Sequence, residues 1–316
     1  MLVLLFIAVC CVAFTNGANA NLKGVASLYG SGTASLRTTI VWGTATTFAG
    51  ASTALFAARG LLAAFSGKWL VPDALAQSPA FLLAVALGAA STSFLATRLS
   101  FPVSTTHALI GALIGGGLAG GDHTLQLAVL LKMFVLPLLI SPVIAIAVGA
   151  LVHFILKNVH LLPDHRTRTL DALHFLSGGA ASFARGLNDT PKITALLLVA
   201  HAFDIRWSFA AVAVAMALGG LLDARKVAET LGKKITGMNP GQGFAANVAT
   251  ALLVTTANWN ALPVSTTHVS VGSLVGIGIV TRQAHWKAVG GIVLSWIITL
   301  PCAAALAALA ALLFSA

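Results

Sequence analysis

Two short stretches of this chain share the residues best suited to hold a small anion. Phe101–Gly115 reads FPVSTTHALIGALIG and Leu262–Gly276 reads LPVSTTHVSVGSLVG, so six consecutive residues are identical in the two copies. Each copy places a serine and two threonines, whose hydroxyls donate hydrogen bonds, directly after a Pro-Val pair. Because proline cannot continue a helix backward through its own nitrogen, we expect a new helix to begin after Pro102 and after Pro263.

The start of each predicted helix has the properties of an anion site. Its first amides lack intrahelical partners and carry partial positive charge, which is why helix N-termini bind phosphate-like anions. A bland alternative is that serine and threonine only cap two helices. The duplication, with proline and histidine also retained, favours anion binding. The predicted anion-binding residues are Ser104, Thr105, Thr106, Ser265, Thr266 and Thr267.

A histidine ends each identical stretch. His107 and His268 follow their serines by three residues, which places serine and histidine on one face of a helix. Each histidine could donate to the anion, carry a proton or brace the motif. We favour bracing, or a contact with the residues that bind the anion instead of with the anion itself.

A weaker pair of motifs lies upstream of the two copies. Asn16–Gly24 reads NGANANLKG and Arg185–Ile193 reads RGLNDTPKI. Aligned on Gly17 and Gly186, the two stretches share an asparagine and a lysine. The matching positions are Asn19 with Asn188 and Lys23 with Lys192.

These upstream motifs are expected to break apolar helices. Gly17 with Asn19 would interrupt the first helix, and Gly186 with Pro191 would interrupt its counterpart. Oxygen ligands and released carbonyls at such breaks suit a hard cation such as sodium. The predicted cation-binding residues, and the predicted sodium ligands, are Asn19, Asn188 and Asp189.

Several basic residues accompany the motifs. Arg185, Lys192 and Lys23 could balance the charge of a bound anion, or they could extend to an interface as Arg98 could. Ionisable residues inside a membrane are functional candidates by default. Arg185 and Lys192 are the stronger candidates of this group.

Apolar segments must position these residues. The chain has 316 residues, of which 58% are hydrophobic and 8% charged, whereas soluble domains carry roughly a quarter charged residues. A spanning helix needs about 20 apolar residues, and the alternation typical of a membrane β-barrel is absent. The chain is therefore predicted to be an all-α polytopic membrane protein. Its nearly charge-free runs are Thr39–Phe65, Pro79–Thr97, Leu125–Leu156, Trp207–Leu222 and Ala288–Phe314.

Composition also excludes other classes. The formal charge of +10 resides in short loops without a basic helix or an aromatic-basic patch, so no nucleic-acid partner is expected. Cys10, Cys11 and Cys302 lie in apolar runs without metal-ligand spacing. Met1–Thr15 is interpreted as a membrane segment rather than a signal peptide, because no basic residue precedes it.

The order of the motifs predicts two repeats with inverted topology. The first repeat is 1–121, followed by a connecting transmembrane segment and cytoplasmic loop in 122–170. The second repeat is 171–281, followed by a C-terminal transmembrane segment in 282–316. Inverted repeats with broken helices and paired helix tips are typical of a secondary transporter's binding site.

Loop charge predicts the orientation. Most basic residues belong to loops on one side of the membrane, which should be cytoplasmic. Only Arg59, Lys68 and Arg206 belong to the opposite side. Both termini are then predicted to lie outside the cell membrane. The predicted cytoplasmic residues are Arg37, Lys157, Arg166, Arg168, Arg225, Lys226, Lys233, Lys234, Arg282 and Lys287.

At these motifs the chain resembles the inorganic phosphate transporter family (PiT, the phosphate and sulfate permeases). The resemblance rests on NGANANLKGVASLYGSGT, SFARGLNDTPKI and both PVSTTH copies, in matching order along nearly the whole chain. It implies an inverted-repeat helical fold, no enzymatic activity, no cofactor, and phosphate uptake coupled to sodium or protons. It also implies a homodimer, an anion held by the Ser-Thr-Thr tips and a coupling cation held by the Asn-Asp breaks.

One residue departs from the family pattern. Ala20 stands where the first repeat of the family has aspartate, while the second repeat keeps Asp189. The missing carboxylate leaves the coupling stoichiometry open, and the coupling ion open between sodium and protons. The sequence also leaves the substrate open between phosphate and sulfate. It also admits a transport-dead sensor. An intramembrane hydrolase using Ser104 and His107 is disfavoured, because a nucleophile needs no identical twin.

Overall fold

The computed structural model describes residues 1–57, 59–67, 70–120, 125–162, 165–198 and 203–314. Lys68, predicted for the outer face, and Gly121, the predicted end of the first repeat, lie outside these ranges. Within them the chain is helical, apart from turns and an isolated β-bridge between Thr236 and Ala284. The long helices are α1 (Leu2–Ala20), α2 (Leu36–Ala57), α3 (Pro79–Arg98), α4 (Thr105–Ala119), α5 (Leu136–Asn158), α6 (Arg168–Leu198), α7 (Ile205–Asp223), α8 (Pro240–Trp259), α9 (Thr266–Val280) and α10 (Trp286–Phe314).

Short helical segments connect the long ones. A π-helical turn, Leu130–Val135, follows the short helix Leu127–Val129 and leads directly into α5. A second π-helical turn, Thr230–Lys234, follows Arg225–Glu229 between α7 and α8. The remaining short helices are Ala26–Gly30, Arg59–Ala64 and Asp73–Ala76.

The helices confirm the predicted all-α polytopic membrane fold. In the described part of the chain, six helical spans are long and apolar enough to cross a membrane: α1, α2, α3, α5 with its preceding turns, α7 and α10. By contrast, α4 and α9 have 15 residues each. At 1.5 Å per residue they extend about 22 Å, which is short of the roughly 30 Å of a hydrocarbon core.

Glycine permits two close helix crossings. A β-carbon at Gly17 would overlap the Met216 carbonyl oxygen, and one at Gly219 would overlap the Phe14 carbonyl oxygen, where α1 crosses α7. The crossing of α2 and α6 has the same form, with Gly50 against Phe183 and Gly186 against Thr47. Small residues allow backbones to approach in this way when helices pack in a membrane.

This packing corrects the prediction that Gly17 and Asn19 break the first helix. Helix α1 continues through both residues to Ala20, and the interruption is the turn at 21–25. Gly17 serves the crossing with α7 instead. The sequence pattern could not separate these two uses of glycine.

The prediction of a break at Gly186 and Pro191 is also wrong. Helix α6 runs without interruption through both residues. Gly186 serves the crossing with α2, and the Thr190 hydroxyl donates to the Gly186 carbonyl oxygen at 2.7 Å, one turn before the proline. Pro191 removes only the amide that would bond to the Leu187 carbonyl, and a helix packed among other helices tolerates such a proline.

The breaks predicted at the other two prolines are confirmed. Ser104 and Ser265 are the N-caps of α4 and α9, directly after the Pro-Val pairs. Each chain reversal before a proline contains a residue with positive φ, Ser100 at 64° and Ala261 at 51°. Both Ser-Thr-Thr segments therefore begin helices inside the protein.

Each Ser-Thr-Thr helix packs against a transmembrane helix that is distant in sequence. Helix α4 packs along α10, and α9 packs along α5. Buried residues of α4 join a core with α1, α3 and α6, whereas those of α9 join a core with α8 and the turn after α1. The two helix tips are thus held by separate cores.

Candidate anion-binding site

The N-terminal tips of α4 and α9 are built alike. The Ser104 hydroxyl oxygen accepts the His107 amide at 3.2 Å, and the Ser265 hydroxyl oxygen accepts the His268 amide at 3.2 Å. These bonds cap the helices but use only the oxygen of each hydroxyl. Neither serine hydrogen has an acceptor among the described residues, so each remains available to a ligand.

The tips are also joined to each other. The Thr106 hydroxyl donates to the Val264 carbonyl oxygen at 3.3 Å, and the Thr267 hydroxyl donates to the Val103 carbonyl oxygen at 2.8 Å. All four residues are buried. The structure thus brings together the two Ser-Thr-Thr segments, although 160 residues of sequence separate Val103 from Val264.

Two lysine ammonium groups reach the same carbonyls. Lys23 Nζ donates to the Val103 carbonyl oxygen at 2.7 Å. Lys192 Nζ donates to the Val264 carbonyl oxygen at 2.8 Å and to the Thr106 hydroxyl at 3.0 Å. Lys23 is 4% exposed and Lys192 is 1% exposed. Each tip therefore has a buried ammonium group beside the carbonyl that precedes its capping serine.

Asp189 lies beside these groups with both carboxylate oxygens occupied. Oδ1 is 3.3 Å from Lys192 Nζ, and Oδ2 is 3.4 Å from Arg185 Nε. Oδ2 also accepts the Asn16 amide at 3.2 Å and the Thr266 hydroxyl at 3.4 Å. The carboxylate thus links α6 to α1 and to the tip of α9.

Arg185 is as deeply buried as its partner. Its guanidinium donates to the Thr47 hydroxyl at 3.3 Å, to the backbone carbonyl of Asn16 at 3.3 Å and to the Asn16 side-chain oxygen. Asn16 in turn donates to the Thr105 hydroxyl at 2.8 Å. Asn16 therefore joins the ion pair of α6 to the tip of α4.

The two predicted cation-binding asparagines are engaged by protein groups. Asn19 donates to the Thr97 hydroxyl at 3.0 Å and to the Phe101 carbonyl oxygen at 2.9 Å, and its side-chain oxygen accepts the Val103 amide at 2.9 Å. Asn188 donates to Asn258 and accepts from Lys192. Asn19 thus braces the tip of α4, and Asn188 lies beside Asp189 in the charged cluster.

The charge of this cluster is unbalanced. Among the acidic residues that the structure describes, only Asp189 is buried, against three buried basic residues, Lys23, Arg185 and Lys192. Arg98 does not belong to this group, because its side chain is 52% exposed and lies 3.8 Å from Asp223 near the surface. The cluster therefore carries a formal excess of two positive charges.

The histidines face a different region. Their rings lie 4.8 Å apart between centroids, and the His268 ring lies 4.1 Å from that of Trp296. His268 Nδ1 is 3.0 Å from the Leu138 carbonyl oxygen. Both rings line a cleft of about 540 Å³ between α5 and α10, whose other walls are apolar apart from the Trp296 indole. The His268 ring contacts α5 and α10, the His107 ring contacts the His268 ring, and among the described residues neither ring is hydrogen-bonded to a tip hydroxyl.

Among the residues of this site that were not predicted, three have a signal in the sequence. They are Asn16, Thr97 and Asn258, the partners of Arg185, Asn19 and Asn188. A usable signal was present, because Thr97 and Asn258 each lie seven residues before the capping serine. Asn16 likewise aligns with Arg185, one residue before the paired glycines.

Comparison with known proteins gives a consistent result. The model of the Phosphate transporter family matches residues 16–169 and 162–307. A "Probable low-affinity inorganic phosphate transporter" of Rhizobium meliloti (strain 1021) is 33% identical over 246 residues, which are 73% of this chain and 73% of the relative. The protein of the same description from Bacillus subtilis (strain 168) is 28% identical over 328 residues, covering 98% of this chain and 96% of that one.

A solved structure has the same fold. "The sodium-dependent phosphate transporter" superposes with a TM-score of 0.86 and 20% identity, covering 99% of this chain and 98% of the other. The prediction of a non-enzymatic protein agrees with these relatives, which are described as transporters. On the family match along almost its full length, the chain belongs to the phosphate transporter family.

Proposed function

We propose that this chain is a secondary active transporter that imports inorganic phosphate, driven by a sodium or proton gradient. The observation that carries the proposal is the meeting of two helix N-termini beside a buried cluster with excess positive charge. Helix N-termini and buried cations both favour an anion. The proposed anion ligands are Ser104, Thr105, Thr106, Ser265, Thr266 and Thr267.

The substrate follows from the relatives as well as from the site. The similar proteins are described as inorganic phosphate transporters, and serine and threonine hydroxyls are suitable donors to phosphate oxygens. Sulfate, which has the same tetrahedral shape, is the second candidate. A hydrolase is disfavoured, because among the described residues the Ser104 hydroxyl has no hydrogen bond to the His107 ring.

The coupling cation is assigned to Asn19, Asn188 and Asp189. A sodium ion at Asn188 and Asp189 would replace Lys192, which now donates to both. A proton on Asp189 needs no new oxygen ligand. The solved relative is described as sodium-dependent, which supports sodium as the coupling ion. Because a proton could bind to Asp189 instead, uptake must be measured with each gradient.

The remaining polar residues are given supporting roles. Arg185, Lys192 and Lys23 balance the charge of the anion from within the protein, since each is buried beside a tip or beside Asp189. His107 and His268 brace the tips against α5 and α10. These roles are proposed from the contacts of each residue.

We also propose that the two repeats have inverted topology. Helices α1 to α5 and α6 to α10 have corresponding contacts: α1 packs on α7 as α6 packs on α2, and α4 packs on α10 as α9 packs on α5. These corresponding contacts support repeats at 1–121 and 171–281. The first repeat is followed by a transmembrane segment in 122–170, and the second by one in 282–316. A homodimer in the lipid bilayer of the cell membrane remains part of the proposal, as the family resemblance implies.

Uptake by the purified protein in proteoliposomes tests the function. Labelled phosphate and labelled sulfate should be supplied with a sodium gradient in one set and a proton gradient in another. Gradient-driven phosphate accumulation is expected, and the effective gradient identifies the coupling ion. Sulfate uptake without phosphate uptake would reassign the substrate, and the absence of both would overturn the proposal.

Orientation can be tested at the two ends of α7. Arg206→Cys places an exposed thiol in the first turn of α7, and Lys226→Cys places one in the short helix that follows its last residue, Asp223. Both variants are made in a chain whose native cysteines Cys10, Cys11 and Cys302 are replaced. We expect a membrane-impermeant reagent applied to intact cells to label position 206 and not position 226. The reverse pattern would invert the proposed orientation, in which both termini lie outside.

A further inference from the structure

We propose that the substrate leaves the anion site along a buried row of polar residues, towards the side where Arg166 is exposed, and that His174 holds this route closed. This inference rests on the proposed function, and the orientation proposed above makes that side cytoplasmic. The members of this polar row are at most 4% exposed, and they are Ser27, His174, Ser182, Asn247 and Ser270.

Helix α6 carries the polar row from the surface to the anion site. His174, Ser182 and Arg185 are spaced by 8 and 3 residues, which places them on one face of the helix. Fifteen residues separate His174 from Asp189, or about 22 Å along the helix axis. The row therefore extends through the interior from the exposed Arg166, just before α6, to the charged cluster.

His174 closes the surface end of the polar row. Its Nε2 lies 2.9 Å from the Ser27 hydroxyl oxygen, and its Nδ1 lies 3.1 Å from the Thr33 hydroxyl oxygen. Ser27 also donates to the Asn247 side-chain oxygen at 3.0 Å. Arg166 continues the closure at the surface by donating to the Thr33 carbonyl oxygen at 3.1 Å. These bonds hold the segment after α1 against both α6 and α8.

Two polar atoms in the middle of the row have no partner among the described residues. They are the Ser182 hydroxyl oxygen and the Asn247 side-chain nitrogen, and both are buried. A β-carbon on Gly24 would overlap the Ser182 hydroxyl. A β-carbon on Gly178 would lie 3.1 Å from the Asn247 nitrogen and 3.4 Å from the Gly24 carbonyl oxygen. Because an unpaired buried polar group costs free energy, this pair beside Gly24 indicates a place that water or a ligand occupies in another state.

The inner end of the polar row reaches the helix tips. The Ser270 hydroxyl donates to the backbone carbonyl of Lys23, whose ammonium group donates to the Val103 carbonyl at the tip of α4. Uncharged hydroxyl and amide groups can replace water around an anion without holding it as firmly as a lysine does. A release route needs such weak contacts, since an ion must also leave them.

The first repeat shows that the fold does not require these polar residues. When Gly17 is aligned with Gly186 and Ser104 with Ser265, each member of the polar row has a counterpart in the other repeat, on the opposite side in the inverted arrangement proposed above. The counterparts of Ser27, His174, Ser182, Asn247 and Ser270 are, in that order, Leu196, Leu5, Ala13, Ala86 and Leu109. All five counterparts belong to one hydrophobic core and are at most 1% exposed. Polarity is therefore confined to one side, as a route that opens to that side requires.

Cysteine accessibility tests the route at matched positions of the two repeats. Ser182→Cys and Ala13→Cys are made in the full chain without its native cysteines, and a membrane-impermeant thiol reagent is applied to the face from which Lys226→Cys reacts. With phosphate and its driving gradient present, Ser182→Cys should react at least about tenfold faster than Ala13→Cys, because only the polar row opens to that face. Equal rates, or no reaction at position 182, would overturn the inference. If Ser182→Cys fails to fold, Asn247→Cys and Ala86→Cys form the equivalent pair.

A second substitution tests the role of His174. Thr33→Val keeps the shape of the side chain but removes the hydroxyl that contacts the His174 ring. Weakening the closure by one neutral hydrogen bond should speed the reaction of Ser182→Cys by about two- to tenfold. Thr38→Val is the control, because the Thr38 hydroxyl contacts only the exposed Ser35 hydroxyl and should leave that rate unchanged. Equal rates in the Thr33→Val and Thr38→Val backgrounds would contradict the closing role of His174.

Blocking the route tests whether phosphate passes through it. Modification of Ser182→Cys should stop phosphate uptake into proteoliposomes, since the attached group fills the route, and removal of that group with a thiol reductant should restore uptake. Thr38→Cys, modified to the same extent at an exposed position, should continue to transport. Continued uptake by fully modified Ser182→Cys would show that the substrate does not pass this residue.

These outcomes separate the inference from the proposed function. Phosphate uptake by the native chain, without one-sided reaction at position 182, overturns the inference alone. No uptake of phosphate or sulfate by the native chain overturns the proposed function, and the inference with it.

Discussion

The two upstream motifs, 16–23 and 185–192, share a geometry but differ in the number of charged residues that they contain. Lys23 and Lys192 hold equivalent places, each donating to the carbonyl before its own capping serine. When the two motifs are aligned, Asn16 corresponds to Arg185 and Ala20 corresponds to Asp189. One motif thus provides an ion pair, and the other provides the neutral amide that bonds to both members of that pair. The comparison teaches that hydrogen-bond geometry can be kept in both motifs while ionic charge is concentrated in one.

The largest effect should come from removing the carboxylate of the second motif, 185–192. Asp189→Asn leaves Arg185 and Lys192 without a counter-charge, and breaking a buried ion pair costs about 3–5 kcal/mol. Thermal unfolding of the purified protein should therefore show strong destabilisation, and cation-driven uptake should be lost. Asp223→Asn is the control, because its pair with the exposed Arg98 should be worth at most about 1 kcal/mol. Similar stability losses in the two variants would mean that Asp189 has no special role.

The two helix tips should respond equally, in contrast to the two upstream motifs. Ser104→Ala and Ser265→Ala each remove one hydrogen-bond donor to a charged ligand, at about 1.5–3 kcal/mol or roughly tenfold or more in affinity. Equilibrium phosphate binding measures this loss. Ser78→Ala is the matched control, since Ser78 also caps a helix but lies at the start of α3. If both tip variants keep native affinity for phosphate and sulfate, the tips do not bind the anion.

Adding a carboxylate to the first motif, 16–23, should make the two motifs more alike. Ala20→Asp is expected to pair with Lys23 and to raise the sodium or proton dependence of anion binding about fivefold or more, within the usual range of coupling between sites. Cation-dependent binding and thermal stability should be measured on the same sample. A less stable protein with unchanged cation dependence would show that position 20 faces only packed helix.

The smallest expected difference lies between the two threonines that join the tips. Thr106 donates to Val264 and also accepts from Lys192, whereas the bond of Thr267 runs to Val103. Each isosteric change to valine should cost about 0.5–1.5 kcal/mol. Thr106→Val should be the more harmful in thermal unfolding, because Lys192 loses an acceptor. Greater destabilisation by Thr267→Val would show that this lysine contact contributes little.

Local rules in the sequence predicted the tips well. Pro102 and Pro263 forbid helix on their N-terminal side, so the positions of the capping serines followed from short-range chemistry alone. The spacing of Arg185, Asp189 and Lys192 also places all three on one helical face. Their pairing could therefore be predicted from the sequence, beside the cation-binding role predicted for Asp189.

Contacts between residues distant in the sequence could not be predicted from the same local rules. No local pattern indicates that Thr47 lies against Arg185, because α2 meets α6 only in the folded protein. Gly17 and Gly186 were interpreted as helix breaks for a related reason. A glycine that admits a neighbouring backbone and a glycine that ends a helix are the same residue in the sequence, and only the packed neighbour separates them.

The glycine crossings have a mechanical consequence. Each carbonyl seated in a glycine notch acts as a stop against axial sliding, because displacement by a few ångströms would drive a side chain into the opposing backbone. We therefore expect the pair α1–α7 and the pair α2–α6 each to move as a unit. Any change of shape that opens the two tips to water would then be concentrated between these helix pairs and the segments that end at Ser104 and Ser265.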